Sequence, residues 1–162
     1  MIDYSLYVKS KEDIKKCNEI PYFCGYSIEI FSYLIDEYSF EKAEIEIKGR
    51  EYQVIFKREN FVIKIVYEMG TLPEVYLLRN NRFVNLDEVS DEYKKLFNTE
   101  KYKLHNKIQE IINRPNISVS NYIKTLGSLW DDNKEEIIQE IKTYLHETSI
   151  FLKKENLLSR LQ

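Results

Sequence analysis

The sequence predicts an α+β fold: an antiparallel β-meander of about five strands, an N-terminal amphipathic helix, and C-terminal helices packed on one face of the sheet. Hydrophobic residues recur with a period of two in the central part of the chain and with a helical period on either side of it. Hydrophobic side chains make up 43% of the chain and aromatic ones 14%, which is enough for a buried core. Because 162 residues is the usual size of one domain, residues 1–162 are predicted to fold as a single unit.

The segment before the sheet has three predicted elements. Tyr4, Leu6 and Val8 alternate with polar residues and predict a short strand, and the charged stretch over residues 9–19 predicts a surface helix. Over residues 26–38, one apolar stripe recurs at helical spacing, formed by Ile28, Phe31, Leu34, Ile35 and Tyr38. This stripe predicts an amphipathic helix that faces the core.

The central part of the chain alternates as strands separated by turn residues. Gly49 divides the first two strands as a hairpin turn, and the polar residues 58–60 separate the second strand from the third. The run over residues 61–68 is apolar on one face and largely apolar on the other, which predicts a central strand. Asn80 and Asn81 predict a tight turn before the last strand, because asparagine tolerates positive φ.

Four helices are predicted after the sheet. Asn85 and Glu88 form a capping pattern at the start of the first. The predicted helices cover residues 85–97, 99–113, 119–130, and from Asp132 or Asn133 to about residue 158. The last helix carries an apolar stripe of Ile137, Ile141, Leu145, Thr148 and Leu152. That stripe also supports one alternative function, a structural subunit that forms a homodimer through the C-terminal helix.

The glycine content excludes several families of phosphate-binding and nucleophilic sites. The chain has four glycines, at Gly25, Gly49, Gly70 and Gly127. Dinucleotide-binding loops, Walker loops and nucleophile elbows each need at least two glycines close together. These glycines are all far apart, so no cofactor is predicted.

Histidine and cysteine leave one enzymatic alternative open. His105 and His146 do not form a metalloprotease motif, and Cys17 and Cys24 have neither redox nor zinc-knuckle spacing, so no metal site is predicted. Both cysteines are predicted to be reduced thiols in the core or near the surface. A pair such as Cys24 with His105 stays open, because catalytic partners meet only in the folded chain. The alternative function is therefore a small hydrolase or transferase with its site near His105 or Cys24.

The net charge of the chain restricts the kinds of partner that we expect it to bind. A formal charge of −3 and a pI near 5.6 disfavour nucleic acid, because binding to phosphates needs an excess of lysine and arginine. The first residues include Asp3 and no long apolar run, and no stretch of about 18 apolar residues occurs anywhere in the chain. We therefore predict a cytoplasmic protein that neither enters a membrane nor binds nucleic acid.

Acidic residues of the first hairpin are the predicted partner-binding residues. Glu44 and Glu46 point to the same side of one strand, and Glu51 begins the strand that follows. These carboxylates predict either an ordinary solvated face or a docking surface for a basic protein partner. Aromatic side chains are a second candidate, because they are favoured at interfaces, although most of them are expected to belong to the core. They are Tyr22, Phe23 and Tyr26 before the amphipathic helix and Tyr67, Tyr76 and Phe83 along the meander.

One stretch of the chain resembles a known class of proteins. The sequence FSYLIDEYSFEKAEIEIKGREYQVIFKRENFVIKIVYEMGTLPEVYLLRN has an amphipathic helix ending in an aromatic-rich YSF, followed by a meander that leads into helices. This layout, over about residues 28–90, resembles that of small bacterial immunity proteins encoded beside polymorphic toxins. The resemblance implies a non-enzymatic protein that binds and neutralises one cognate toxin.

Overall fold

The computed structural model describes residues 2–68, 72–84, 100–114 and 118–154, and these confirm the predicted α+β fold. The helices are α1 (Lys11–Glu19), α2 (Tyr26–Phe31), α3 (Tyr33–Asp36), α4 (Lys103–Ile112) and α5 (Val119–Lys154). The strands are β1 (Glu44–Lys48), β2 (Glu51–Arg58), β3 (Phe61–Glu68), β4 (Glu74–Arg79) and β5 (Arg82–Val84). They form one antiparallel sheet in the order β1-β2-β3-β4-β5, so β3 is central, as predicted.

The predicted strand at the N-terminus is wrong, whereas the helix that follows it is confirmed. Residues Tyr4–Leu6 form a 3₁₀ turn that the side chain of Asp3 caps, and only Val8 makes a bridge, to Ala43. Helix α1 begins after Ser10, whose hydroxyl oxygen accepts a hydrogen bond from the backbone N–H of Asp13 at 3.1 Å. Such a side-chain cap satisfies one of the free N–H groups at a helix start.

The predicted helix over residues 26–38 forms as two short helices. A π-helical turn at Pro21–Gly25 leads into α2, and Ser32 separates α2 from α3. Gly25 lies where the π-helical turn approaches the N-terminal segment. A Cβ atom at this position would lie 2.5 Å from the hydroxyl oxygen of Tyr4 and 3.0 Å from the carbonyl oxygen of Cys17. A larger residue would therefore push these segments apart.

The turns set the register of the sheet as the sequence predicts. Gly49 has φ 60° between β1 and β2, and Asn80 and Asn81 have φ 53° and 63° between β4 and β5. Two-residue turns at Gly49 and Arg50, at Glu59 and Asn60, and at Asn80 and Asn81 leave the alternation of side chains undisturbed. The register places one set of strand residues on what we call the inner face, which contributes Ile45, Val54, Phe56, Ile63, Ile65, Tyr67, Val75 and Leu77 to the core.

The long C-terminal helix packs against α2 and against the π-helical turn at Pro21–Gly25, and Phe23 of that turn contacts Tyr52 and Tyr67 on the inner face. Helix α4 follows a 3₁₀ turn at Glu100–Tyr102, and α5 runs through both of the last predicted helices but bends at Asn133 (φ −129°, ψ 24°). The predicted stripe of α5, from Ile137 to Leu152, is fully buried in the chain's own core. The stripe is therefore not free to pair with a second copy, and the homodimer loses the reason that the sequence offered for it. The predicted helix over residues 85–97 lies outside the described residues.

The opposite side of the sheet, which we call the outer face, has a different composition. It carries Glu44, Glu46, Glu51, Gln53, Ile55, Lys57, Val62, Lys64, Val66, Glu68, Glu74, Tyr76, Leu78 and Phe83. Apart from Ile55, these side chains are half-buried or exposed, and none belongs to the core cluster. The predicted partner-binding glutamates and the exposed Phe83 are on this face.

Candidate functional site

The three predicted partner-binding glutamates lie on one face of the sheet. Glu44 is opposite Ile55 and Glu46 is opposite Gln53, in the same set of outward positions to which Glu51 belongs. All three have partners within the chain. The ammonium of Lys48 lies 3.5 Å from the Glu46 carboxylate, and the side-chain amide of Gln53 donates a hydrogen bond to Glu51. Glu44 is the most strongly compensated of the three. The ammonium of Lys9 lies 2.9 Å from the Glu44 carboxylate and that of Lys57 lies 3.6 Å from it. The hydrogen bond from Lys9 lowers the pKa of Glu44, so this carboxylate is held within the chain and contributes little to a docking surface.

Two further glutamates join Glu51 at the end of the sheet. Glu51 is directly opposite Glu68 in β3. Glu74 in β4 is opposite Val66, which lies two residues before Glu68 in β3. Burial raises the pKa of Glu74, and the charges of Glu51 and Glu68 raise it further. We call Glu46, Glu51, Glu68 and Glu74 the acidic end.

Glu68 and Glu74 are not among the partner-binding residues predicted from the sequence, although a predicted turn indicates where Glu68 lies. A polar turn is predicted at residues 58–60, and a two-residue turn at Glu59 and Asn60 is enough to pair Glu51 with Glu68. Like charges directly opposite one another destabilise a sheet. The acidic end is therefore more than a set of evenly solvated carboxylates.

An aromatic pair lies beside this surface on the outer face. The rings of Tyr76 and Phe83 meet edge to face, with 5.6 Å between their centroids, and Phe83 is 71% exposed. Phe83 is opposite Leu78, which is opposite Val62, so apolar side chains continue across three strands. Exposed aromatic residues next to apolar ones are typical of protein contact surfaces.

His105 lies in a buried cluster between α4 and α5 rather than on the surface. It is 1% exposed, and its ring nitrogen Nδ1 lies 2.9 Å from the carboxylate of Glu140. The same carboxylate accepts hydrogen bonds from the backbone N–H groups of Leu104 and His105, each at 3.1 Å. The other ring nitrogen of His105, Nε2, is buried without a hydrogen-bond partner among the described residues.

Glu140 supplies the cap that the sequence of α4 lacks. The residue before α4 is Tyr102, whose side chain makes no capping bond, so the first N–H groups of the helix need an acceptor from elsewhere. Burial raises the pKa of Glu140, but the hydrogen bonds from the His105 ring and from the two backbone N–H groups outweigh it, so the net pKa is lowered. The carboxylate is thereby held ionised at the positive end of the helix dipole.

This arrangement clamps one helix to another and does not expose a base to a substrate. Nearby, the hydroxyl of Tyr102 donates to Glu147 of α5 at 2.8 Å, and Lys101 forms an ion pair with the same carboxylate. The sequence analysis missed Glu140. Its signal was position, because an acidic residue three places after Ile137 falls on the stripe that the helix buries.

The cysteines are poorly placed for nucleophilic chemistry. Cys17 and Cys24 are both fully buried, and burial raises the pKa of each thiol to about 12. A thiolate is the reactive form, so a thiol with this pKa is inert near neutral pH. His146 is exposed on α5. Neither His105 nor Cys24 thus has the surroundings that the enzymatic alternative requires.

The described residues contain neither a metal-ligand cluster nor a membrane-spanning helix, and the chain matches none of the known proteins with which it was compared. In the part of the chain that the structure describes, no group of three or more histidine, cysteine, aspartate or glutamate residues could hold a metal ion. Within the same residues, no helix is both long and apolar enough to cross a bilayer. No protein-family model matches the chain, and neither a curated protein nor a solved structure does.

Proposed function

We propose that this chain is a non-enzymatic protein-binding module whose contact surface is the acidic end together with the aromatic pair Tyr76 and Phe83. The observation that carries the proposal is the direct opposition of Glu51 and Glu68, with Glu74 beside them. A basic partner would relieve the repulsion among these carboxylates, so their cost in the free chain becomes a gain in the complex.

The aromatic pair provides the apolar part of the same surface. Phe83 is exposed in the free chain, and aromatic side chains of this kind contribute a large share of binding energy when a partner covers them. The carboxylates would guide the approach of a positively charged protein, because complementary charge raises the association rate. The resemblance to immunity proteins makes the proposed partner a bacterial toxin encoded beside this chain.

A binding experiment tests the proposal directly. The protein encoded by the neighbouring reading frame is purified, and its affinity for this chain is measured by titration calorimetry. Charge reversal by Glu51→Lys with Glu74→Lys is expected to weaken binding by about 100-fold or more, and Phe83→Ala by about tenfold. Glu110→Lys changes an exposed glutamate on α4 and is the matched control, expected to bind as the wild type does.

Two outcomes would count against this function. One is a neighbouring protein that does not bind this chain at all. The other is a complex that the Glu51 and Glu74 reversals leave as tight as before, which would place the contact surface elsewhere. Neutralisation has a separate readout: cells that express the neighbouring protein should grow when the wild-type chain is present and stop growing when the double reversal replaces it.

A further inference from the structure

The end of the sheet opposite the acidic end carries a row of arginines. Arg58 in β2 is opposite Phe61 in β3, Phe61 is opposite Arg79 in β4, and Arg79 is opposite Arg82 in β5. The four residues therefore occupy one cross-strand row on four adjacent strands. At the usual spacing of neighbouring strands, this row is about 14 Å long.

The structure holds two of these guanidinium groups in place. Arg58 donates a hydrogen bond to the carbonyl oxygen of Tyr38 at 2.6 Å, and its guanidinium lies 5.2 Å from the centre of the Phe40 ring and 5.4 Å from that of Phe61. The guanidinium of Arg79 lies 5.9 Å from the centre of the same Phe61 ring. Stacking on an aromatic ring fixes the plane of an arginine and leaves its edge free to donate hydrogen bonds.

The described residues offer these arginines little negative charge. Among them, none of Arg58, Arg79 and Arg82 forms an ion pair with a carboxylate. Arg58 and Arg79 line the adjoining cleft, and Glu59 is the one acidic side chain among the described residues that line it. There two positive charges face one negative charge, although the chain as a whole is acidic.

A cleft lies next to the row and is rich in donors. It has a volume of about 480 Å³, and Arg58, Arg79, Ser39 and the amide side chains of Asn60 and Asn80 line it. This volume is in the range of small-molecule sites. A backbone hydrogen bond of 3.0 Å from Asn80 to Asn60 joins the two turns that form its wall.

The backbone around this cleft is unusual. Four non-glycine residues in the described part of the chain have positive φ, and three of them, Ser39, Glu59 and Asn80, line the cleft. For serine and glutamate this conformation costs free energy, and residues held in it are concentrated at functional sites.

We propose that this cleft binds a phosphate-bearing small molecule, with Arg79 and the stacked Arg58, which both line it, as the residues that contact the phosphate. Arg82, which lines an adjoining cleft together with Arg79, is a third donor. The planar guanidinium matches the oxygens of a phosphate in pairs, which makes arginine the preferred residue for such groups. The length of the row accommodates two linked phosphates. This inference does not depend on the proposed protein partner, because the arginine row occupies inner-face positions of the strands, whereas the acidic end and Phe83 occupy outer-face positions.

Inorganic pyrophosphate is the first probe, measured by titration calorimetry at low ionic strength. The wild type should bind it saturably, one per chain, and Arg79→Gln should weaken that binding by about tenfold or more. Arg50→Gln removes an exposed arginine in the turn between β1 and β2 and is the matched control, expected to bind as the wild type does. Adenosine diphosphate is a second probe: tighter binding than pyrophosphate assigns part of the site to a nucleoside, and equal binding assigns it to phosphate alone.

The proposal is overturned if the wild type shows no saturable binding of pyrophosphate, or if Arg50→Gln lowers the affinity as much as Arg79→Gln does. Thermal unfolding followed by circular dichroism shows whether each variant folds. Should Arg79→Gln fail to fold, Arg82→Gln provides the same test at an exposed residue of β5. Unchanged binding in a folded Arg79→Gln variant and in Arg82→Gln would also overturn it.

Discussion

Two glutamates of this chain, the buried Glu140 and the exposed Glu74, illustrate how neighbouring groups decide the direction in which the pKa of a carboxyl group shifts. Burial raises the pKa of both carboxyl groups. Around Glu140 the neighbours are donors, the His105 ring and two backbone N–H groups, and the net pKa is lowered. Around Glu74 the neighbours are Glu51 and Glu68, and the pKa is raised further. The first carboxylate stabilises the fold, whereas the charge of the second opposes folding.

The largest expected effect is at Glu140. Replacing it by Gln puts an amide group among three donors and leaves some of them without an acceptor in a buried site. We expect Glu140→Gln to lower the free energy of unfolding by about 3 kcal/mol, measured by urea denaturation at neutral pH. Glu136→Gln, one turn earlier on the exposed side of α5, should change it by less than about 0.5 kcal/mol. An equal loss in the two variants would show that Glu140 contributes no more to stability than the exposed Glu136 does.

A smaller loss is expected at His105. His105→Leu keeps a buried side chain of similar size but removes one donor, so Glu140 retains only its two backbone hydrogen bonds. We expect a loss of about 1–2 kcal/mol by the same measurement. In a double-mutant cycle with Glu140→Gln, the two losses should be less than additive, because both variants break the same hydrogen bond. Additive losses would show that the ring and the carboxylate act independently.

The two glutamates should affect the pH dependence of the free energy of unfolding in opposite directions. The pKa of Glu140 is lowered on folding, so its contribution is complete well above 4.5, the ordinary value, and is lost as the pH falls through the folded pKa. The difference in stability between wild type and Glu140→Gln should therefore narrow on acidification. Urea titrations at several pH values between neutral and about 3.5 measure it. A difference that stays constant over this range would contradict the role given to the ionised carboxylate.

The smallest effect is expected at the acidic end. The pKa of Glu74 is raised on folding, so its charge opposes folding once the pH rises through the folded pKa. Glu74→Gln should raise the free energy of unfolding by a few tenths of a kcal/mol at neutral pH, since this surface is screened by solvent. The gain should shrink at high salt and below about pH 4.5. Glu110→Gln is the control, and a destabilised Glu74→Gln variant would contradict the repulsion.

The sheet and the buried stripe of α5 were predictable because they depend on local patterns. Gly49, Asn80 and Asn81 identify turns, and period-two alternation then decides which residues share a face. The short strand at Tyr4 was predicted wrongly, since alternation over so few residues does not distinguish a strand from a 3₁₀ turn capped by Asp3.

The candidate sites were less predictable because they depend on contacts between distant parts of the chain. Glu140 meets the start of α4 only after two helices have packed, and nothing near Leu104 in sequence indicates that its N–H needs an acceptor there. The arginine row needs the register of three hairpins at once, in which an error of one residue would move Arg79 to the other face. The opposition of Glu51 and Glu68 is intermediate, since it depends only on the turn between β2 and β3.

The cap on α4 also bears on the order in which the chain acquires structure during synthesis. Leu104 leaves the ribosome 36 residues before Glu140, the acceptor of its backbone N–H. A helix of ten residues is marginal in water by itself, and this one also lacks a capping side chain of its own. Helix α4 should therefore remain a fluctuating segment until the last helix has been made, and its amide protons should gain protection from exchange together with those of α5.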